Sequence, residues 1–421
     1  MFKQMFKQIK KIDTFGKNII LVLLGTSLLN FFSLLYQLLI AHSLSPSDFA
    51  AFNSLLSIYM LVSSTLGTLN VAVTKYTAEF NAHGQQKKIQ ALLSLLLRKT
   101  FFLAAITFVI LILFSPILTK SLKIDSLNSG YILAAMISLS WIIPVLLGIL
   151  QGLELFKWYT SVSVISALLK LGLAFWFIKL GFNIAGSLGA FLFSSLAIIA
   201  ISFLPLMRIF PSKAISEPIN FKEIFLYLLP VGISFFCFNA LVTSDMVLVK
   251  YFFMPEESGF YSLAQMVGKI FLFLPAAISI VLLPRSSSLK AKKFSTGSSL
   301  ERSLSYAAIL CILAVLFYNI FPSLVLNILT GKVFSESLVL GRMFSISMSF
   351  FALLYIFINY FLSIKDLRFI KYLVLSTFLQ CLAIIIFHRS LQDIQFILCI
   401  NSILLFLVHF SLFKQIPKEA F

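Results

Sequence analysis

Residues 100–119 read TFFLAAITFVILILFSPILT, a stretch without a single charged side chain. Crossing the hydrocarbon core of a bilayer takes roughly 20 mainly apolar residues in an α-helix. This stretch therefore predicts a membrane-spanning helix, and the composition of the whole chain agrees with it. Of the 421 residues, 60% are hydrophobic and 11% are charged, which leaves too little polar surface to cover a soluble core.

About twelve runs of this kind follow one another, so the sequence predicts an all-α polytopic membrane protein. The polar stretches between them are short connectors without room for a folded catalytic domain. The predicted spans are 18–40, 49–70, 100–119, 130–150, 158–179, 182–207, 223–250, 258–284, 303–325, 336–362, 367–387 and 391–413.

The distribution of Lys and Arg predicts the orientation. With twelve spans both termini lie on one side, and most of the 33 Lys and Arg residues fall on that side. Because basic loops stay in the cytoplasm, we expect both termini there, in a chain of the cytoplasmic (inner) membrane. The net charge of +18 then indicates contact with anionic membrane lipids and not with nucleic acid. The predicted outer side holds only Lys120, Lys123, Lys179, Lys250, Lys332, Arg342 and Arg389.

The sequence contains an internal repeat, in which the second half matches the first at an offset of 209 residues. Residues 42–55 read HSLSPSDFAAFNSL, and residues 251–264 read YFFMPEESGFYSLA. The matched pairs are Pro46 with Pro255, Asp48 with Glu257, Phe52 with Tyr261, and Asn30 with Asn239. Two consecutive six-helix halves have the same orientation, so an axis along the membrane normal relates them, as in several transporter folds. The substrate path is expected between the halves.

Spans and repeat together predict five segments. They are a cytoplasmic N-terminal segment (1–17), an N-lobe (18–207), a cytoplasmic linker (208–222), a C-lobe (223–413) and a cytoplasmic tail (414–421). In the first segment Phe2, Met5 and Phe6 recur at helical spacing with lysines between them. This pattern is typical of an amphipathic helix on the membrane surface, and a solvated basic tail is the alternative interpretation.

The residue types that most often carry out catalysis or bind metals, Cys and His, are few and scattered in this sequence. The four Cys fall in apolar segments without CxxC spacing, and the four His are isolated. The chain has no phosphate-binding loop, zinc-protease or nucleophile-elbow motif. We therefore expect no cofactor and no metal site, and a protein that is not an enzyme.

Two lysines lie deep inside predicted spans, where charged side chains are rare and usually functional. Lys170 is about twelve residues into span five, and Lys269 is about eleven residues into span eight. With a helical rise of about 1.5 Å per residue, both come near the midplane. In a shared cavity the pair would bind an anion such as a diphosphate. Alternatively, each pairs locally or snorkels along a tilted helix.

Asp245 is the only carboxylate well inside a predicted span. It is a candidate for coupling to an ion or proton, or a structural partner of Lys250. Four amide side chains are candidates for binding sugar hydroxyls, or for hydrogen bonds that join helices. They are Asn30, Gln37, Asn239 and Gln265.

Several stretches resemble the Wzx-type flippases of polysaccharide export, within the multidrug/oligosaccharidyl-lipid/polysaccharide exporter superfamily. They are LLIAHSLSPSDFAAFNSLLSI (38–58), VTKYTAEFNAHGQ (73–85), GILQGLELFKWYT (148–160), SDMVLVKYFFMPEESGFYSLAQ (244–265) and VLLPRSSS (281–288). Three positions depart from the family pattern: His42 replaces its usual Arg, while Ser45 and Ala50 replace its usual Gly. Gly259 keeps that glycine in the second half. The departures argue against a role for the first outer loop.

The resemblance implies a two-lobed, V-shaped, MATE-like bundle with a cationic central cavity. Its cargo would be a lipid-linked oligosaccharide on a polyprenyl diphosphate, flipped by alternating access. A polysaccharide polymerase or glycosyltransferases would be further partners. Two alternatives remain. A drug or cation antiporter on the same fold would favour acidic residues in the cavity, and a membrane polymerase or ligase would need a larger outer loop.

The orientation is testable. Reporter fusions at both termini should report a cytoplasmic location, because the basic loops lie on that side. A cysteine placed at position 124 or 254 should react with a membrane-impermeant thiol reagent in intact cells. External termini, or no labelling at either loop, would overturn the map.

Overall fold

The computed structural model describes residues 14–207, 221–273 and 297–415, and the regular structure in these ranges is α-helical. The predicted N-terminal segment, linker and tail fall wholly or largely outside these ranges. The helices are α1 (Thr14–Ser43), α2 (Pro46–Ala82), α3 (Gln86–Ser121), α4 (Leu127–Leu139), α5 (Ile143–Gly152), α6 (Phe156–Lys179), α7 (Asn183–Leu206), α8 (Phe221–Phe252), α9 (Pro255–Phe273), α10 (Gly297–Ile320), α11 (Pro322–Thr330), α12 (Ser335–Ser363), α13 (Phe369–Ile386) and α14 (Leu391–Lys414).

Eleven helical stretches of the described ranges are long and apolar enough to cross a bilayer. One of them, Leu127–Gly152, consists of α4 and α5. It is interrupted just before Pro144, whose ring cannot continue a preceding helical turn. The predicted eighth span, 258–284, is described as far as Phe273, the end of α9. The prediction of an all-α polytopic membrane protein is confirmed.

The surface of α3 shows why these helices need a bilayer. Phe102, Leu113 and Ile117 each expose more than 60% of their surface. In water such a surface would drive aggregation, whereas lipid chains solvate it. An α-helix satisfies most of its backbone hydrogen bonds internally, as the hydrocarbon core requires.

The contacts divide the chain into two compact units. The first consists of Met1–Ile40, Leu66–Leu118 and Ser126–Leu228, and the second of Ala41–Thr65, Thr119–Asp125 and Leu229–Phe421. The tip of the α1–α2 hairpin and the turn after α3 thus group with the second half of the chain. The division into lobes 18–207 and 223–413 stays a prediction.

Each unit has its own core. In the first unit α2, α3, α5 and α7 meet in a buried apolar cluster that contains Val73, Leu92, Val145, Ile149 and Leu206. In the second unit α12 packs against α9, α10 and α14, and most of its side chains are buried. α12 is therefore the central helix of this core.

The repeat is visible in the helix boundaries. α1 ends at Ser43 and α8 ends at Phe252, which are separated by the same offset as Asn30 and Asn239. α2 begins at Pro46 and α9 begins at Pro255, again with this offset. Proline suits the first position of a helix, because its missing N–H has no partner there in any case. The ends of α3 and α11 repeat the spacing once more.

Two glycines let α5 approach α2 closely in the first unit. A Cβ atom on Gly148 would lie 2.8 Å from Cβ of Val73, and one on Gly152 would lie 2.5 Å from Cβ of Thr77. Their spacing of four residues places both on one face of α5, as in small-residue motifs that join membrane helices. The packing of the first unit therefore depends on the absence of side chains at these positions.

This contact predicts opposite outcomes for two glycine substitutions. Gly152→Ala should destabilise the protein by about 1–3 kcal/mol, because the added methyl group overpacks the α2–α5 contact. Gly172→Ala, on α6 with no atom near its Cβ position, should be neutral or gain up to about 1 kcal/mol from helix propensity. Thermal unfolding of the two purified variants in detergent measures both. Equal melting temperatures would contradict the close packing.

Candidate functional site

Three polar side chains line one face of α9 in the second unit. Tyr261, Gln265 and Lys269 follow one another at a spacing of four residues, which stacks them along a helix face. The helix is fixed at its start by Pro255. There the carboxylate of Glu257 accepts a hydrogen bond from the backbone N–H of Met254 at 3.0 Å. This arrangement presents a hydroxyl, an amide and an ammonium group in a row.

The first two of these groups hold Asp245, which α8 contributes and which is fully buried. Tyr261 Oη donates to Asp245 Oδ2 at 2.8 Å. Gln265 Nε2 donates to both carboxylate oxygens at 3.2 Å. Buried carboxylates require such donors, because desolvation of the charged form is costly. The predicted site residues Asp245 and Gln265 are thus in direct contact.

A second glutamine completes this cluster from α14. Gln395 is fully buried, and its Nε2 donates to Tyr261 Oη at 2.8 Å. Among the described residues, the amide oxygens of both Gln265 and Gln395 are buried without a hydrogen-bond donor. Buried amide oxygens usually have a partner. The cluster therefore combines an anionic carboxylate with two amide oxygens that can still accept a donor or a cation.

Lys269 is bound to a neutral partner on α2. Its Nζ donates to Asn53 Oδ1 at 3.0 Å, and Asn53 Nδ2 donates to Ser262 Oγ at 2.8 Å. Asn53 and Ser262 are almost completely buried. Asn53 thus joins the α1–α2 hairpin to α9 through both ends of its amide. Its own amide oxygen takes the place that an anionic ligand of Lys269 would occupy.

The charges of Lys269 and Asp245 interact without a direct ion pair. Asp245 exerts a Coulombic attraction on Lys269. Within the described ranges, however, these two side chains form no salt bridge shorter than 4.0 Å, whereas Arg368 and Asp366 at the surface do. Lys269 is therefore near one carboxylate while its donors face neutral groups.

Lys170 lies on α6 in the first unit, again among neutral groups. Its Nζ donates to Ser33 Oγ at 3.3 Å. It also lies 4.8 Å from the ring centre of Tyr36 and 4.9 Å from that of Phe191. A cation over aromatic faces is stabilised by their quadrupoles, more so away from water. Since α1, α6 and α7 all contribute, the position of this ammonium group is set by the packing of the unit.

The remaining predicted residues differ in their surroundings. Asn30 is exposed on α1. Asn239, its partner in the repeat, is half-buried and donates from Nδ2 to the carbonyl oxygen of Phe235 on its own helix at 2.9 Å. The amide nitrogen of Asn239 is thus used within its own helix, while Asn30 lies on the surface of α1. Lys170 and Asn30 belong to the first unit, and Lys269, Asp245, Gln265 and Asn239 belong to the second.

Sequence reasoning did not select Asn53, Tyr261 or Gln395 as site residues. Tyr261 had a usable signal, since it shares a helix face with Gln265 and Lys269. Asn53 and Gln395 had none, because their partners are far along the chain. In the described part of the chain no group of three or more His, Cys, Asp or Glu side chains could hold a metal ion.

Comparisons with known proteins agree with this architecture. Residues 15–290, more than half of the chain, match the model of a family described as polysaccharide biosynthesis protein. A search of curated protein sequences found no significant match.

Solved structures of MATE transporters superpose along almost the whole chain. An inward-facing multidrug resistance transporter of the MATE family and MOP superfamily gives a TM-score of 0.72 at 15% identity, over 92% of this chain and 94% of its own. The MATE multidrug transporter DinF-BH gives 0.69 at 13% identity, over 95% of both chains. A MOP superfamily transporter from Pyrococcus furiosus, described by a reverse polarity of its binding pocket that suggests a different function, gives 0.63 at 16% identity, over 94% of this chain and 93% of its own. The predicted MATE-like fold is confirmed.

The buried cluster predicts a coupled stability effect. Tyr261→Phe should destabilise the protein by roughly 1–3 kcal/mol, because the fully buried Asp245 loses a hydrogen-bond donor. The cost should shrink in an Asp245→Asn background, where no anion needs that donor. Thermal unfolding in detergent of the wild type, the two single variants and the double variant gives the coupling free energy between Tyr261 and Asp245.

Tyr251→Phe provides the matched control, since Tyr251 is half exposed and its replacement should change little. Additive effects of the Tyr261 and Asp245 changes would show that the hydroxyl does not stabilise the carboxylate.

Proposed function

Because this chain belongs to the polysaccharide biosynthesis protein family, we propose that it is a flippase for a lipid-linked oligosaccharide. The cargo is a precursor of a cell-surface polysaccharide, attached to a polyprenyl diphosphate. Alternating access carries the sugar and diphosphate across the cytoplasmic membrane while the lipid tail stays in the bilayer. The fold, which is that of membrane transporters, supports this proposal.

The observation that carries the proposal is the pairing of two interior lysines with neutral partners. Lys170 contacts a hydroxyl and two aromatic rings, and Lys269 contacts the amide oxygen of Asn53. Neither charge is neutralised by a direct carboxylate contact within the described ranges. Phosphate oxygens replace neutral acceptors readily, because charge-assisted hydrogen bonds are roughly twice as strong as neutral ones. Both lysines are thus available for the diphosphate.

The amide residues supply the second part of the proposed recognition. Asn30 is exposed and Asn239 is half-buried, so both amides are candidates for hydrogen bonds to sugar hydroxyls. Such contacts are individually weak, about 0.5–1.5 kcal/mol each. Moderate affinity suits a cargo that has to leave the site on the other side. Gln265 holds Asp245 through its Nε2, and its amide oxygen can accept a further hydrogen bond, as from a sugar hydroxyl.

Asp245 is the proposed ion-coupling residue. Its carboxylate lies with the amide oxygens of Gln265 and Gln395 in one buried cluster. Oxygen atoms of this type are suited to a hard monovalent cation or to a proton on the carboxylate. Neutralising Asp245 would weaken its attraction for Lys269 and so change the charge offered to the diphosphate. Coupling and cargo binding would then act on the same lysine.

The second candidate function is an ion-coupled antiporter for drugs or other cations. The buried carboxylate of Asp245 favours it, because an interior anion attracts cationic cargo. Against it, the two interior lysines repel such cargo. Binding of the cationic dye ethidium to purified protein distinguishes the two. Saturable binding that Asp245→Asn abolishes would support the antiporter.

In the cell the proposed flippase acts with membrane lipids and the enzymes that make and use its cargo. Glycosyltransferases supply the lipid-linked oligosaccharide on the cytoplasmic side, and a polysaccharide polymerase consumes it on the outer side. Both termini are proposed to be cytoplasmic.

The double variant Lys170→Gln/Lys269→Gln should abolish glycan export while protein levels stay unchanged. Each lost charge-assisted contact costs about 1.5–3 kcal/mol, so export should fall roughly tenfold to a hundredfold per lysine. Arg at both positions keeps the charge and should retain part of the activity. The measurement is surface glycan in cells that depend on this protein.

Lys179→Gln is the matched control, since Lys179 ends the same helix as Lys170 and lies over the ring of Phe175. It should export normally. Normal export by the double Gln variant would show that the interior lysines are structural.

A further inference from the structure

Two lysines outside the site occupy the same position in the repeat. Lys123 follows α3 and Lys332 follows α11, separated by the offset of the repeat. Lys332 Nζ donates to the carbonyl oxygen of Ala41 at 2.7 Å and to that of Leu44. Lys123 Nζ donates to the carbonyl oxygen of Phe253 at 2.8 Å. Leu44 and Phe253 are equivalent in the repeat as well, so each lysine binds the corresponding carbonyl group in the other half of the chain.

These carbonyl groups lie where α1 and α8 end. The last carbonyls of a helix have no donor within the helix and carry partial negative charge. An ammonium group with three donors satisfies several of them at once. Lys332 is half-buried and Lys123 is exposed, and partial burial lowers the pKa of Lys332 below its ordinary value. Both contacts therefore join the halves through the backbone, independently of the side chains at 44 and 253.

The two halves also touch elsewhere in the second unit, in one case at equivalent positions. Asn53 and Ser262, 209 residues apart, are hydrogen-bonded to each other. Gly259 lies so near Pro46 that an added Cβ atom would be 2.8 Å from the carbonyl carbon of Pro46. Equivalent positions meet each other only near the axis that relates two repeats. We call this contact of the α1–α2 and α8–α9 hairpin tips, with the turns of Lys123 and Lys332, the hairpin interface.

A group of charged side chains lies on one side of the hairpin interface and strengthens the contact between the halves. Lys250, near the end of α8, is almost completely buried. Asp48 on α2 and Asp125 in the turn after α3 attract it, and Lys123 repels it. The attraction again joins the first half of the chain to the second. The corresponding position in the first half is Ala41, so this charge group is present only once.

We infer that Lys123 and Lys332 form a pair of latches that hold the hairpin interface closed and that release it when the cargo route opens at this end of the protein. The inference rests on the proposed alternating access. The distribution of basic residues predicts this end to be the outer one. Carbonyl oxygens suit a contact that breaks in every cycle, because they bind an ammonium group less strongly than a carboxylate does.

Thiol labelling of purified protein in nanodiscs tests the latches. Ser262, fully buried in the hairpin interface, is replaced by Cys in a background without native cysteines. A water-soluble maleimide should label this thiol slowly. Lys123→Met/Lys332→Met, which removes the donors and keeps the length, should raise the labelling rate severalfold. Arg at both positions should keep labelling slow.

Two controls separate latch opening from general loosening. A Cys at Ser187, also fully buried but in the first unit, should be labelled at an unchanged rate. Lys120→Met, one turn before Lys123 and exposed, should leave position 262 protected. An unchanged rate at 262 in the double variant, or an equal rise at 187, overturns the inference. If the double variant is not monodisperse, each single Met variant should raise the rate at 262, and no rise in either overturns it equally.

The labelling needs no cargo, so its outcome is independent of the proposed function. If the Lys123→Met/Lys332→Met variant is labelled at an unchanged rate and the Lys170→Gln/Lys269→Gln variant loses export, the latches alone are rejected. If the Lys123→Met/Lys332→Met variant is labelled faster and the Lys170→Gln/Lys269→Gln variant exports normally, the latches are supported and the diphosphate site is rejected.

Discussion

Because the hydrocarbon core of a bilayer contains no water, the charged groups inside this protein depend on partners within the protein. With so few charged residues in the chain, the ones that remain inside are informative. Asp245 is held by Tyr261 and Gln265, and Lys269 is held by Asn53. Lys170 rests on a hydroxyl and two rings. The carboxylate has hydroxyl and amide donors, whereas both lysines have neutral partners, and this difference is the basis of the proposal that the lysines bind an anion.

The repeat links that interior to the hairpin interface. Asn53 uses one end of its amide for Lys269 and the other for Ser262, its own equivalent in the second half. A ligand that takes Lys269 from Asn53 would remove one of the hydrogen bonds that attach the α1–α2 hairpin to α9. Cargo binding and the closure of the hairpin interface would thus compete for the same amide.

The sequence predicted the membrane helices well, because a span is decided by local composition. The predicted first span, 18–40, lies inside α1 (Thr14–Ser43), and the predicted last span, 391–413, nearly coincides with α14 (Leu391–Lys414). Lys170, Lys269 and Asp245 could be selected because a charge in a span is costly wherever it points. Their roles in cargo binding and coupling stay predictions.

The partners of these groups could not be predicted, because they depend on which helices meet. Asn53 looks like one polar residue among many on α2, and Gln395 lies far after Tyr261 in sequence. The offset of the repeat was readable, yet it does not reveal that Lys123 and Lys332 reach across to the opposite half. Such contacts depend on the folded arrangement of the second unit.

Selective binding of a diphosphate is the most direct test of the central claim, that the interior lysines recognise an anionic lipid-linked cargo. Native mass spectrometry of the purified protein can compare a polyprenyl diphosphate with the polyprenyl alcohol of equal chain length. The wild-type protein should clearly prefer the diphosphate, and Lys170→Gln/Lys269→Gln should retain both lipids equally. Equal retention of both lipids by the wild-type protein, or an unchanged preference in the variant, would contradict it.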